Sequence, residues 1–179
     1  MHGMIFMELN HYVTEKLGKE AWNELLKQAG KPGVVYMPIG TYPDEDIVVL
    51  VGTASKITGK PVMTLLEDFG EYIAPHLMLR YATLIKPGWK TLDVVENTEK
   101  AIHVAVRARD QNATPPKLIC NRVSPTEVHI DYSSQRKMCG VAKGIIRGVA
   151  AYMKETVTLS EPNCMHRGDA KCQLVIKKP

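Results

Sequence analysis

The hydrophobic pattern of this chain changes from a helical to an alternating period at Thr114-Pro115-Pro116. Before these residues, apolar side chains recur three or four positions apart, and the runs stop at Gly18, Gly30 and Gly59. This spacing is typical of amphipathic helices, and a glycine just beyond the last apolar residue is a common helix C-cap. The front part of the chain is therefore predicted to be helical.

Beyond the proline pair, apolar and polar residues alternate over 118–123 and again over 128–132, which predicts a hairpin of two strands. Residues 138–152 return to helical spacing, and 157–159 and 172–176 alternate once more. Helices followed by two strands, a helix and two strands predict an α+β fold, with an N-terminal helical subdomain packed on a C-terminal antiparallel sheet with helices.

The length of 179 residues fits one large domain or two small ones. We expect a single domain over 1–179, with a helical subdomain at about 1–85 and an α+β subdomain at about 86–179. The basic residues that give the net charge of +4 are scattered, so nucleic acid is not an expected partner. No apolar run approaches the roughly 20 residues of a membrane span, and no secretory signal is evident, which predicts a cytoplasmic protein with reduced cysteines.

His103 is the first candidate for chemistry. Thr91 is a suitable N-cap for a helix over about 92–109, and on that helix His103 lies at the rim of the apolar face that contains Ile102 and Val106. An ordinary, partly exposed histidine fits this position. So does a metal ligand, because a neutral imidazole supplied from a helix is a usual protein ligand of haem iron.

Tyr132, Ser134 and Arg136 alternate at the end of the second predicted strand, so an extended chain would direct all three side chains to one side. Two hydroxyls and a guanidinium could hold a ligand with two carboxylates, since arginine binds carboxylates bidentately. The alternative is a strand end with ordinary capping by Ser133 or Ser134.

With the Tyr-x-Ser-x-Arg motif, the start Met1-x-Gly3-x-Ile5, the His103 helix and Ala113-Thr114-Pro115-Pro116, nearly the whole chain resembles the H-NOX family. These domains bind haem, sense nitric oxide or oxygen, and include the haem domain of soluble guanylate cyclase. The resemblance implies haem b between the two subdomains, with His103 as the proximal ligand of the iron. It also implies that Tyr132, Ser134 and Arg136 bind the propionates and that Pro116 presses on the macrocycle.

The resemblance also implies which gas is bound. Oxygen-binding members carry a tyrosine in the helix after the motif, and counting from Arg136 places Val141 at that position. Together with Ile5, the residues Ile73, Leu77 and Ile145 complete an apolar distal wall. Without a hydroxyl there, nitric oxide is the expected ligand and carbon monoxide a further one. A hydroxyl from Tyr12 or Tyr72 remains an alternative.

Cysteines form a third cluster. Cys164 and Cys172 flank a turn signal at Arg167-Gly168-Asp169, so a hairpin would bring their sulfurs together. With Cys139 and His166 they make a possible tetrahedral zinc site, in which Glu161 is the alternative to His166. The other interpretation is small core residues at Cys139 and Cys172 and a surface thiol at Cys164. Some bacterial members of the resembled family bind zinc with cysteines of this region.

The predicted function is that of a haem-based sensor and not of an enzyme. Binding of nitric oxide would release His103 and so signal to a partner protein. The resemblance implies a histidine kinase, a cyclic-di-GMP enzyme, a chemoreceptor or a cyclase as that partner. A zinc-thiolate redox sensor and a haem-free module of the same fold that binds a small molecule are the alternatives. An enzyme acting on a small molecule finds no support, because no nucleophile with its base is recognisable.

Overall fold

The computed structural model describes residues 1–179 and divides into two compact units, Met1–Phe69 and Gly70–Pro179. The sequence placed this division near residue 85, where Lys86-Pro87-Gly88 interrupts the chain. The structure places it inside a helix instead, because Ala74 and Met78 in the second half of that helix pack against Val94 and Val149 of the second unit. None of the helices combines the length and apolar composition needed to cross a membrane.

The first unit is helical, as predicted. It contains α1 (Gly3–Leu17), α2 (Lys19–Gln28), α3 (Asp44–Thr58) and the beginning of α4 (Val62–Arg80). Helix α3 begins where three acidic residues complement the positive helix end, and it ends at Gly59 in the left-handed conformation with φ of 69°. Phe6, which is fully buried, stacks on Tyr36 with ring centroids 4.1 Å apart.

The helices of the second unit are the rest of α4, a 3₁₀ turn (Ala82–Leu84), α5 (Thr91–Asn97), a π-helical turn (Thr98–His103), α6 (Val104–Arg109) and α7 (Cys139–Tyr152). The continuous helix predicted over about 92–109 is therefore interrupted by one wider turn. Thr91 is the first helical residue and not the N-cap, which is Lys90. The backbone N–H of Lys90 donates to Asp93 Oδ2 at 2.9 Å, so the cap comes from an acidic side chain inside the first turn.

The sheet contains β1 (Lys117–Ser124), β2 (Glu127–Ser133), β3 (Thr158–Asn163) and β4 (Cys172–Lys177), all antiparallel in the order β1-β2-β4-β3. The predicted α+β class and both strand pairs are confirmed. Alternate residues of β2 are buried, and two of them belong to a core of Leu92, Val95, Val128, Ile130, Ile146, Leu174 and Ile176. A short 3₁₀ turn, Met165–Arg167, connects β3 to β4.

Glycines allow α4 and α7 to approach each other closely. A Cβ atom added at Gly70 would lie 2.3 Å from the carbonyl oxygen of Val141 and 2.9 Å from Cα of Gly144. One added at Gly148 would lie 2.5 Å from Cβ of Ala74. The relative position of the two helices therefore depends on the absence of side chains along this line.

Gly70→Ala should lower the free energy of unfolding by roughly 1–3 kcal/mol, because the added methyl group meets backbone that cannot give way. Gly52→Ala is the matched control, since nothing lies within 4 Å of its added Cβ and it stands inside α3. The control should be neutral or stabilising by about 1 kcal/mol. Urea denaturation measures both, and equal effects of the two substitutions would contradict the close helix contact.

Candidate functional site

His103 ends the π-helical turn, and its side chain is 13 % exposed. Its Nδ1 atom lies 2.8 Å from Oε2 of Glu99, one turn earlier in the same helical segment. The backbone carbonyl of Pro116 also faces the ring and works to raise the pKa of His103. The predicted ligand is therefore a nearly buried imidazole with two oxygen acceptors beside it.

Glu99 accepts hydrogen bonds from several parts of the second unit. Besides His103, Nη2 of Arg107 lies 2.7 Å from Oε1, and the backbone N–H of Leu118 lies 3.3 Å from Oε2. Burial works to raise the pKa of Glu99, but the hydrogen bonds from His103 and Arg107 outweigh it and the pKa lies below its ordinary value. Glu99 is therefore ionised at neutral pH.

The environment of His103 favours the neutral ring. Burial holds the pKa of His103 below its ordinary value, although the hydrogen bond to Glu99 acts in the opposite direction. A neutral imidazole keeps a lone pair on one nitrogen, and this is the form that binds a metal ion. The chemistry at this position fits an axial ligand.

The motif residues Tyr132 and Ser134 contact each other at the end of β2. Burial raises the pKa of Tyr132 to about 12, while hydrogen bonds with the side chain of Ser134 and the backbone of Met138 partly oppose this rise. The strand ends at Ser133, and Arg136 lies in the turn that follows. The prediction that an extended chain aligns all three side chains is thus wrong for Arg136, because a turn is needed to reach the start of α7.

Arg136 contacts the loop that precedes β1. Its Nη1 atom donates to the carbonyl oxygen of Thr114 at 2.7 Å, and its Nη2 atom donates to the Thr114 hydroxyl. The segment Thr114–Leu118 therefore receives Arg136 at one end, His103 at Pro116 in its middle, and Glu99 at its other end. A single five-residue segment thus lies beside the predicted iron ligand and binds Arg136, one of the three predicted carboxylate-binding residues.

This donor set fits haem. An imidazole supplies a nitrogen ligand for iron, and a guanidinium with two hydroxyls supplies hydrogen-bond donors for two propionates. All of these residues lie in the second unit. Sequence reasoning missed Glu99 and Thr114, although the four-residue spacing between Glu99 and His103 on a predicted helix could have indicated the first of them.

The predicted distal residues lie on two helices of the second unit and one of the first. Ile73 and Leu77 belong to α4, Val141 and Ile145 to α7, and Ile5 to α1. Ile73 is 1 % exposed, and Ile145 packs against the core cluster of Ala74, Met78, Val94 and Val149. The two alternative tyrosines pack on aromatic neighbours, Tyr12 on Phe69 and Tyr72 on His76.

Three cysteines and one glutamate form a compact group, which we call the thiol cluster: Cys139, Glu161, Cys164 and Cys172. Their ligand atoms all lie within 4.8 Å of one another, and Sγ of Cys164 lies 3.8 Å from each of the other two sulfurs. His166 does not join them. It is exposed, and its Nε2 atom lies 2.6 Å from the carbonyl oxygen of Lys137, because the 3₁₀ turn directs it away from the sheet.

The electrostatics of the thiol cluster are those of buried thiols beside an ion pair. Burial raises the pKa of both Cys139 and Cys172. Glu161 pairs through Oε2 with Nζ of Lys143 at 3.1 Å, whereas its Oε1 atom is buried without a hydrogen-bond partner. Without a metal ion, the thiols of Cys139 and Cys172 therefore stay protonated at neutral pH.

Comparison with known proteins identifies the family. The family model for haem-NO-binding domains matches residues 2–161, and the chain belongs to this family. It is 22 % identical over 163 residues to the soluble guanylate cyclase gcy-31 of Caenorhabditis elegans. That match covers 90 % of this chain but only 23 % of the cyclase, so the chain spans about a quarter of the length of this curated relative.

Solved structures of the same class share the fold. The H-NOX protein of S. oneidensis in the Fe(II)NO ligation state superposes with a TM-score of 0.93 at 24 % identity, covering 100 % of this chain and 99 % of that one. The unliganded Fe(II) H-NOX protein of K. algicida gives 0.89 at 22 % identity, covering 100 % and 97 %. The I5F mutant of the T. Tengcongensis protein gives 0.87 at 22 % identity, covering 99 % and 97 %.

Membership establishes the general role. H-NOX domains are haem-based gas-sensing modules and not enzymes, haem b is their usual cofactor, and they bind nitric oxide, oxygen or carbon monoxide.

Arg136→Met should raise the amide hydrogen-exchange rate of Ala113, whose N–H bonds to Asp110 in the loop that Arg136 holds. Losing a net stabilisation of about 1 kcal/mol corresponds to a roughly fivefold faster exchange. Gln135→Met, at the exposed neighbouring position, is the control and should leave the rate unchanged. Equal exchange in all three proteins would show that Arg136 does not hold this loop.

Proposed function

We propose that this chain is a haem-based sensor that binds nitric oxide at ferrous haem. Release of His103 from the iron would then signal to a partner protein. The observation that carries this proposal is the contact set of segment Thr114–Leu118, which links the candidate iron ligand His103 to Arg136, one of the candidate propionate-binding residues. Each of these residue types has the chemistry that its proposed role needs.

In this proposal His103 is the axial ligand, and Tyr132, Ser134 and Arg136 bind the propionates. Pro116 contacts the macrocycle, and the apolar side chains Ile5, Ile73, Leu77, Val141 and Ile145 surround the gas site. Bound haem would supply a ferrous iron that can bind a diatomic gas, and binding of nitric oxide would weaken the bond between the iron and His103. Arg136 would exchange its hydrogen bonds with Thr114 for bonds to a carboxylate.

Nitric oxide is the proposed gas because Val141 offers no hydrogen-bond donor. A donor beside bound dioxygen contributes roughly 1 kcal/mol or more, and nitric oxide on ferrous iron does not need it. Carbon monoxide is a second expected ligand for the same reason.

The part of the chain released with His103 is weakly held. Residues 98–109 include no fully buried side chain, whereas α5 buries Thr91, Leu92, Val94 and Val95. Helix α5 is also fixed to β1, because Arg122 binds both Asp93 and Glu96 at 2.7 Å. Loss of the bond to His103 would therefore favour movement of α6 and of the end of the π-helical turn, while Glu99 keeps its bond to Leu118 and α5 stays on the sheet. This gives two states that a ligand can bias.

The receiver of this change is a separate protein or a further segment. A histidine kinase, a cyclic-di-GMP enzyme, a chemoreceptor and a cyclase are the candidates. The guanylate cyclase of which this chain covers 23 % supports the last of them. We place this signalling in the cytoplasm.

The absorption spectrum of the anaerobically reduced protein, with and without nitric oxide, tests the proposal. The wild-type protein should show a Soret band that nitric oxide shifts, and His103→Ala should change that band and weaken haem retention by more than the roughly 10- to 100-fold that loss of a supporting residue costs. His129→Ala is the control, since His129 pairs with Glu127 on β2 and touches none of the candidate site residues named here. No Soret band, or one unchanged in His103→Ala, would contradict the mechanism.

A second candidate function is a zinc-thiolate redox sensor. The thiol cluster favours it, because three sulfurs and a carboxylate oxygen within 4.8 Å of one another match the number and type of ligands in a tetrahedral zinc site. The partnerless Oε1 atom of Glu161 fits a metal ligand, and Lys143 would balance part of the negative charge of three thiolates. Oxidation of two thiolates to a disulfide by a peroxide would release the ion.

Metal analysis of the purified protein tests this second candidate. We expect one zinc ion per chain in the wild type, loss of zinc in Cys164→Ser, and affinity lowered by roughly 10- to 100-fold in Glu161→Gln. Cys120→Ser is the control, because Sγ of Cys120 bonds to the carbonyl of Val95 outside the cluster. A wild-type protein without zinc, or a Cys164→Ser protein that keeps it, would exclude the site.

A further inference from the structure

We propose that Glu99 is a positioning residue that holds Nδ1 of His103, presents Nε2 to the iron and strengthens the iron–histidine bond. This inference rests on the proposed function, because it concerns the same imidazole. It assigns a role to a carboxylate that the H-NOX motif residues do not include.

The geometry defines which atom of His103 carries the proton. Oε2 of Glu99 lies 2.8 Å from Nδ1, and its two oxygens also face Arg107 and the backbone N–H of Leu118, so donors surround the carboxyl group and it acts as the acceptor. The Nδ1 atom must therefore donate, and in a neutral ring the lone pair is then on Nε2. That nitrogen is the one left to bind a metal ion.

Glu99 is itself held in place from two other directions. Arg107 occupies Oε1 at 2.7 Å, and the N–H of Leu118 approaches Oε2 at 3.3 Å. The carboxylate of Glu99 is only 24 % exposed, so water competes weakly for its oxygens. It can therefore fix the plane of the imidazole instead of following its motion.

The carbonyl oxygen of Pro116 is the competing acceptor for the ring. A carbonyl is neutral, whereas hydrogen bonds to an ionised group are roughly twice as strong. A carboxylate acceptor also raises the electron density of the imidazole, and this makes the ring a stronger ligand. Glu99 should thus oppose the release of His103. It should also determine how much a bound gas must weaken the iron–histidine bond before His103 is released.

Resonance Raman spectroscopy of the ferrous holoprotein measures the iron–histidine stretching frequency directly. We expect this frequency to fall in Glu99→Gln, whose amide still accepts but is neutral, and to fall further in Glu99→Leu, which leaves only the carbonyl of Pro116. Dissociation of His103 from iron in the nitric oxide complex should become roughly 10- to 100-fold more favourable. Glu96→Gln is the matched control, because Glu96 is a carboxylate one turn earlier that binds Arg122 and not His103.

The outcomes separate the inference from the function on which it rests. A wild-type protein without an iron–histidine band would overturn the proposed function itself. A band that is present but has the same frequency in wild type, Glu99→Gln and Glu96→Gln would overturn the role of Glu99 and leave the function standing. Nitrogen-15 NMR of the diamagnetic ferrous carbon monoxide complex supplies a second readout, in which the Nδ1–H signal of His103 should move in Glu99→Gln and stay in place in Glu96→Gln. An Nδ1–H signal that is the same in all three proteins would also overturn the role of Glu99.

Discussion

The candidate site depends on the segment Thr114–Leu118, whose backbone forms hydrogen bonds with side chains that are distant in sequence. Pro115 and Pro116 lack N–H groups, so they cannot join the ladder of β1, which begins at Lys117. The carbonyl oxygen of Thr114 accepts from Arg136, and that of Pro116 faces the ring of His103. The two prolines thus keep the segment that carries these acceptors outside the sheet.

The same site couples a buried ligand to a weakly packed part of the chain. His103 closes a π-helical turn, and such turns are frequent at functional sites because they widen the helix locally. On its N-terminal side α5 is packed in the core and paired with Arg122, whereas α6 on its C-terminal side buries no side chain completely. A change in the bonding of one imidazole can therefore act on α6 while α5 keeps its packing and its ion pairs with Arg122.

Sequence reasoning proposed most residues of the candidate site, and its errors of side-chain direction have local causes. The contact between Tyr132 and Ser134 agrees with the motif, but Arg136 lies in a turn that strand periodicity could not reveal. His166 was proposed for the thiol cluster from its closeness in sequence, yet the 3₁₀ turn directs it to Lys137. Spacing along a chain does not specify the direction of a side chain in irregular structure.

The sequence by itself determined the order of helices and strands, because period and glycine caps act over a few residues that are always neighbours. It also indicated the family through short motifs, each of which consists of residues that are close in sequence. Only the tertiary structure brought Glu99 to Leu118 and Glu161 to three cysteines, since these contacts join residues from different elements. Such contacts depend on the packing of the whole chain. No local sequence pattern specifies which acceptor will bind a given buried donor.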